Sequence, residues 1–181
     1  MTTGRVFAVV GPSGAGKDSL IAGAVAVQPD LVWVRRVITR PADAGGEPFE
    51  GVTEAEFTRR KAGGAFVLDW QAHGLRYGIP VSVLHDIAGG KDVIFNGSRA
   101  DLGAAIRRFP GLTVVLVTAS PDVLARRLEA RGREAEGDIA KRLQRPAYAM
   151  PAGIIARCVV NDGTLADGIA RFLAALQPDK A

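Results

Sequence analysis

The chain has 181 residues, of which 48% are hydrophobic and 23% charged, and its net charge is +4. This length suits one domain with a full core, and the balance excludes a disordered chain. The cationic excess is too small to argue for nucleic acid, no stretch approaches the ~20 apolar residues of a membrane span, and a single cysteine, Cys158, excludes an intrachain disulfide.

Residues 5–10 (RVFAVV) form a short apolar run ending at a Gly-rich turn, which suits a buried parallel strand. Residues 1–10 lack the apolar run of a signal peptide, so a cytoplasmic protein that takes no membrane and no nucleic acid is expected. Residues 19–27 read as a helix, 32–38 (VWVRRVI) as one strand, and 41–50 as a polar turn region. Thr53 followed by Glu56 has the spacing of a capping box, predicting a helix to about Lys61 that stops at Gly63-Gly64. A strand at 66–70, a return over 74–80 and a short helix at 81–88 follow.

Residues 92–95 predict a strand, 99–108 a helix, and 112–118 (LTVVLVT) the clearest buried strand. Residues 121–130 predict an amphipathic helix with Val123, Leu124 and Leu128 on one face. A helix at 139–150, a strand at 154–160 and a helix at 165–176 close the chain. Alternating strands and helices predict an α/β fold with a parallel core sheet covered on both faces. Residues 39–90 interrupt that alternation and read as an insertion within a single domain spanning 1–181. Cys158 reads as a small buried residue.

Gly11-Pro12-Ser13-Gly14-Ala15-Gly16-Lys17 matches the G-x-x-x-x-G-K of a phosphate-binding loop (P-loop), with a strand before it and a helix after it. The glycines let backbone N–H groups turn around a phosphate, and the helix N-terminus adds partial positive charge. Lys17 is placed to reach the β- and γ-phosphates of a nucleotide. Asp18 stands where Ser or Thr ordinarily binds Mg²⁺, so Asp18, through a bound water or directly, and Ser19 are the candidate metal ligands. The loop alone leaves ATPase, GTPase, kinase and motor functions open.

The segment RVITRP (36–41), Gly46-Glu47, Glu56-Phe57, Phe66 and Tyr77-Gly78 resembles the acceptor-binding part of guanylate kinases. LARRLEARG (124–132), with Ile139 and Arg142-Leu143, resembles their lid, here about 126–145. Val160-Asn161-Asp162 resembles the turn by which they hold the adenine of ATP. The resemblance implies a P-loop, three-layer, guanylate kinase-like fold. Four positions depart from it: the guanine-reading Glu is matched by Leu68, a phosphate-binding Arg falls at Ala42 or Asp43, a phosphate-binding Tyr is matched by Phe49, and a strand-end Asp by Asn96. A site without the base's hydrogen-bond partner loses discrimination for that base, so the acceptor is expected to be phosphorylated but not GMP.

The segments GPSGAGKDSL, RVITRP, AHGLRYGIP, VIFNGSRADL, VVLVTAS and RLEARGRE resemble a narrower family, the ribose 1,5-bisphosphate phosphokinases of phosphonate catabolism. That resemblance implies ATP and Mg²⁺, with the 5-phosphate of ribose 1,5-bisphosphate taken as acceptor and 5-phosphoribosyl 1-diphosphate as product. Arg40 and Tyr77 are then expected on one acceptor phosphate, Arg99 on the second, Asn96 and Ser98 on ribose hydroxyls, and His73 on a phosphate or hydroxyl. Lys17 with the lid residues Arg131, Arg133 and Arg142 is expected to offset charge on the transferring group. Arg126 and Arg127 read as solvated helix charges, His85 as structural, and Trp33 and Trp70 as packing. The alternatives are a nucleoside monophosphate kinase, or a non-catalytic binding module, against which the retained Lys17 argues. A homodimer is among the assemblies open to the chain.

Overall fold

The computed structural model describes residues 3–130 and 150–178. The expected helix over 139–150 and the lid residues Arg131, Arg133 and Arg142 lie outside them, except for Met150.

Val6–Val10 (β1) is buried at all five positions because it is the middle strand of a five-stranded parallel sheet. It pairs with Val93–Asn96 (β7) on one side and Thr113–Thr118 (β8) on the other. Val32–Trp33 (β2) adds to the far side of β7, and Ala156–Val160 (β9) to the far side of β8. The pleat of β1 divides its side chains between two layers. Phe7 and Val9 pack with Leu20, Ile21 and Ala24 of the helix Lys17–Val27 (α1) and with Phe172 and Leu176 of Leu165–Leu176. Val6, Ala8 and Val10 pack on the opposite face with Leu102 and Ala105 of the helix Leu102–Arg108.

A second, four-stranded sheet in the order β4-β3-β6-β5 closes that opposite face. It consists of Arg36–Ile38 (β3), Phe49–Gly51 (β4), Phe66–Ala72 (β5) and Leu75–Pro80 (β6). Val67, Leu68, Trp70 and Ile79 from this sheet join the core of the first.

Two sequence expectations change. Residues 32–38 form two strands in two sheets. Val34 N–H still donates to Ile94 at the edge of the first sheet, whereas Val37 and Ile38 already pair with Gly78 and Tyr77 of the second. The Arg35-Arg36 pair marks the crossing point. Cys158 is exposed, because alternation along the edge strand β9 turns Val159 inward and Cys158 outward.

The helix Glu54–Ala62 (α2) starts at Thr53, whose Oγ1 accepts from Glu56 N–H at 3.2 Å. The return half of the capping box is not made, since the Glu56 carboxylate accepts instead from Arg59 and Arg60. Thr53→Ala should therefore lower stability by about 1 kcal/mol, read as a lowered denaturation midpoint with unchanged slope.

Candidate active site

The P-loop leaves β1 so close to β8 that a Cβ on Gly11 would lie 2.0 Å from the Val117 carbonyl oxygen, so only glycine fits there. Gly16 has φ 91°, and a Cβ there would stand 2.6 Å from Asn161 Nδ2. That amide, buried at 4% exposure, donates to the Ala15 carbonyl at 2.8 Å. Holding the Ala15 carbonyl outward points the N–H of Gly16, across the trans peptide, to the inner side of the loop. Arg127 braces the same region from the helix Pro121–Ala130. Its Nη2 donates to Asn161 O at 2.9 Å, and its Nη1 makes longer contacts of 3.4 Å to the Gly14 and Ala15 carbonyls. Arg127 is thus not a solvated helix charge, and only Arg126 is exposed. Lys17 Nζ donates to the Gly11 and Pro12 carbonyls at 2.9 Å each.

The loop faces a cavity of about 870 Å³, within the usual range for a small-molecule site. It opens at the C-terminal ends of β1, β7 and β8, where open parallel sheets bind ligands. Gly11, Pro12, Ser13, Gly14, Gly16, Lys17 and Asp18 form one wall. Asn96 at the end of β7, with Ser98 and Arg99 just past it, forms the floor, and the second sheet with its connecting turns supplies Arg36, Glu47, Trp70, His73 and Tyr77 opposite the loop.

That opposite wall is built around a buried ion pair. Arg36 Nε donates to Glu47 Oε2 at 2.8 Å, its Nη2 contacts Glu47 Oε1, and its Nη1 donates to the Asn96 carbonyl at 2.8 Å. The guanidinium also lies over the rings of Tyr77 and Trp70, with its Cζ at 4.8 and 5.6 Å from the centroids. Those rings stack on each other, 5.4 Å apart and 6° from parallel. Burial pushes the Tyr77 phenol above its ordinary value, so at neutral pH it keeps its proton and can donate. His73 (φ 52°) and Gly74 (φ 72°) form the two-residue turn joining β5 to β6, with both central residues left-handed as a type I′ hairpin requires. The turn thus accounts for the left-handed backbone of His73 and sets its side chain at the cavity rim.

Other expected residues sit elsewhere. Leu68 is 8% exposed and packed in the core, while Trp70 faces the cavity from the same strand. Leu68 is absent from the cavity lining, so it offers no side-chain acceptor to a base there. Arg40 lines a smaller hollow beyond Thr39, lies over the Phe49 ring at 4.0 Å and donates to Gly45 O at 3.1 Å. Ser19 is exposed and outside the cavity lining. Asn161 and Asp162 do not line it either: Asn161 shapes the P-loop, and Asp162 Oδ1 accepts from Ser120 N–H at 2.7 Å. Arg36 and Glu47 were not foreseen as wall residues. The available signal was an arginine inside an apolar strand, which needs a carboxylate when buried.

Among the described residues no group of three or more His, Cys, Asp or Glu could hold a metal. Mg²⁺ keeps several waters and is held through one or two carboxylates plus substrate phosphates. Asp18 fits as that carboxylate, because it lines the cavity beside the P-loop, whereas both Glu47 oxygens are engaged by Arg36.

No family model matches the chain. Over 175 residues it is 45% identical to "Ribose 1,5-bisphosphate phosphokinase PhnN" of Agrobacterium fabrum, covering 95% of this chain and 96% of that protein. The chain belongs to the ribose 1,5-bisphosphate phosphokinase family. A phosphokinase of the same name from Chromobacterium violaceum is 48% identical, with 94% of each chain covered. The chain is also 51% identical over 176 residues to the "Bifunctional ribose 1,5-bisphosphokinase-thymidine phosphorylase" of Cupriavidus necator, of which it spans 29%. The guanylate kinase of Anaplasma phagocytophilum superposes with a TM-score of 0.69 over 97% of this chain and 88% of that one, at 16% identity. The phosphokinase fold is thus the P-loop α/β fold of guanylate kinases. No described helix is long and apolar enough to cross a membrane.

Proposed function

We propose that the chain is an ATP-dependent kinase that converts ribose 1,5-bisphosphate to 5-phosphoribosyl 1-diphosphate in the cytoplasm, as part of phosphonate catabolism. The observation that carries this reading is the near-full-length identity to phosphokinases of that name. The P-loop facing Ser98, Arg99 and Tyr77 across one cavity supports it.

Atom balance fixes the acceptor. A 1-diphosphate forms only if the phosphoryl group lands on the 1-phosphate, so the 5-phosphate expected above as acceptor is instead the anchor. The bond from the γ-phosphorus to the bridging oxygen breaks, ADP leaves with that oxygen, and a 1-phosphate oxygen forms the new bond. A phosphate oxygen is already ionised at neutral pH, so the site needs no strong general base. Rate enhancement rests on positioning and on offsetting charge.

In this reading Lys17 moves from the Gly11 and Pro12 carbonyls to the β- and γ-phosphates. Arg99 and Tyr77 hold acceptor phosphate, Ser98 a ribose hydroxyl, and His73 the rim. Arg40 and the lid residues Arg131, Arg133 and Arg142 complete the cationic set on closure, which also excludes water. Asp18 would be the protein ligand that holds Mg²⁺, and the metal would supply charge neutralisation on the nucleotide phosphates.

The test is ADP release from Mg·ATP with ribose 1,5-bisphosphate, ribose 5-phosphate, GMP, AMP or no acceptor. Turnover is expected with ribose 1,5-bisphosphate alone, and equal turnover with GMP would sink the proposal.

A further inference from the structure

Asn96 Nδ2 donates to Asp18 Oδ1 at 2.7 Å, joining the end of β7 to the P-loop. A carboxylate only accepts, so the amide must present its NH2 to Asp18. Its Oδ1 is thereby turned away, and it is buried with no partner among the described residues. Asn96 itself is 4% exposed, and its backbone carbonyl is held by Arg36. Asp18 Oδ2 accepts no hydrogen bond among the described residues and lies 4.0 Å from where a Cβ on Gly46 would be.

P-loop NTPases ordinarily hold Mg²⁺ with the hydroxyl that follows the loop lysine and with an aspartate from a core strand. Here the carboxylate is on the loop and the neutral side chain is at the strand end. We propose that the two positions have exchanged roles: Asp18 supplies the carboxylate to Mg·ATP, and Asn96 is the positioning residue that holds Asp18 Oδ1 and leaves Oδ2 for the metal. This rests on Asp18 being the metal ligand.

The geometry couples the two positions. A carboxylate at 96 would meet Asp18 at hydrogen-bond distance as a like charge, and would bury its second oxygen without a donor. A serine at 18 would remove the one carboxylate lining the cavity, among the described residues, that Arg36 does not already engage. Each single exchange is therefore damaging, and the double exchange restores one carboxylate and one neutral partner in the opposite order.

The experiment is calorimetric titration of ADP, with and without Mg²⁺, into the wild type and the variants N96A, N96D, D18A, D18S and D18S/N96D. N96A and N96D are expected to lose about tenfold of the affinity gain that Mg²⁺ confers, the loss typical of a residue that orients a metal ligand, and D18A, which removes the ligand itself, more than that. Metal-free ADP binding should persist in every variant, which reports that the P-loop is folded, and should be tighter where the carboxylate at 18 is removed and weaker in N96D. The double variant should recover most of the gain. The conservative N96S, which keeps a hydroxyl donor to Asp18, should retain more of it than N96A.

A full Mg²⁺ gain in N96A, or a double variant as weak as the summed singles, overturns the exchange. A full gain in D18A, whose side chain can hold no metal, overturns it at its base, by removing Asp18 as ligand. No acceptor enters this measurement, so failure of the ribose 1,5-bisphosphate assignment would show only in the acceptor panel.

Discussion

Lys17→Ala is expected to reduce the rate of phosphoryl transfer by about 10²–10³-fold, equivalent to ~3–4 kcal/mol of lost transition-state stabilisation. Its Nζ sits on the Gly11 and Pro12 carbonyls at the mouth of the P-loop, within a side chain's swing of any nucleotide phosphate cradled there. Charge on the bridging and γ oxygens rises as the bond to the leaving ADP breaks, and an ammonium aimed at them stabilises that state more than the ground state. The loss should therefore fall mainly on kcat, with a smaller change in KM for ATP. Lys17→Arg should not rescue it, because a planar guanidinium is bulkier than an ammonium and distributes its donors differently. Steady-state ADP release at saturating ribose 1,5-bisphosphate gives the measurement. A Lys17→Ala enzyme within tenfold of wild-type kcat would mean that the P-loop binds the nucleotide without acting on the transferring group.

Local sequence signals were enough for elements whose partners are close in the chain. The P-loop, β1 and α1 follow from an apolar run, a glycine pattern and a helix start in succession. The helix Pro121–Ala130 and the closing helix Leu165–Leu176 lie where their apolar spacing puts them, and the latter is capped by Thr164. The site was legible where one motif makes one wall. It was not legible where the wall is assembled from distant segments. Arg36 meets Glu47 eleven residues on and the Asn96 carbonyl sixty residues on, and no local pattern announces the second contact. Asn161 reaches back 146 residues to Ala15, so a turn residue expected beside adenine is a buried brace of the phosphate loop. Arg127 looks like any other charge on an amphipathic helix until the loop it braces is in place. The split of residues 32–38 has the same origin, since the two halves are equally strand-like and only their partners differ.

Glu47→Ala should destabilise the fold by ~3–5 kcal/mol, a large share of the ~5–15 kcal/mol available to a typical domain. Both side chains of the Arg36–Glu47 pair are under a tenth exposed. An arginine cannot shed its proton to escape burial, so removing the carboxylate leaves a full charge against Trp70, Tyr77 and one carbonyl. The apolar double replacement Arg36→Met/Glu47→Leu keeps the volume and removes both charges, and its stability should lie near that of the wild type. The two variants separate what the pair does for folding from what it does for binding. In the double variant the protein folds, ADP still binds at the P-loop, and KM for ribose 1,5-bisphosphate rises because the wall opposite the loop has lost its ordered polar anchor. Chemical denaturation of the three proteins, followed by KM for each substrate in the double variant, makes the comparison. A Glu47→Ala protein with an unchanged denaturation midpoint would show that water reaches Arg36 and that the pair is not the keystone of this wall. An unchanged acceptor KM in the double variant would place acceptor recognition on Tyr77, Ser98 and Arg99 alone.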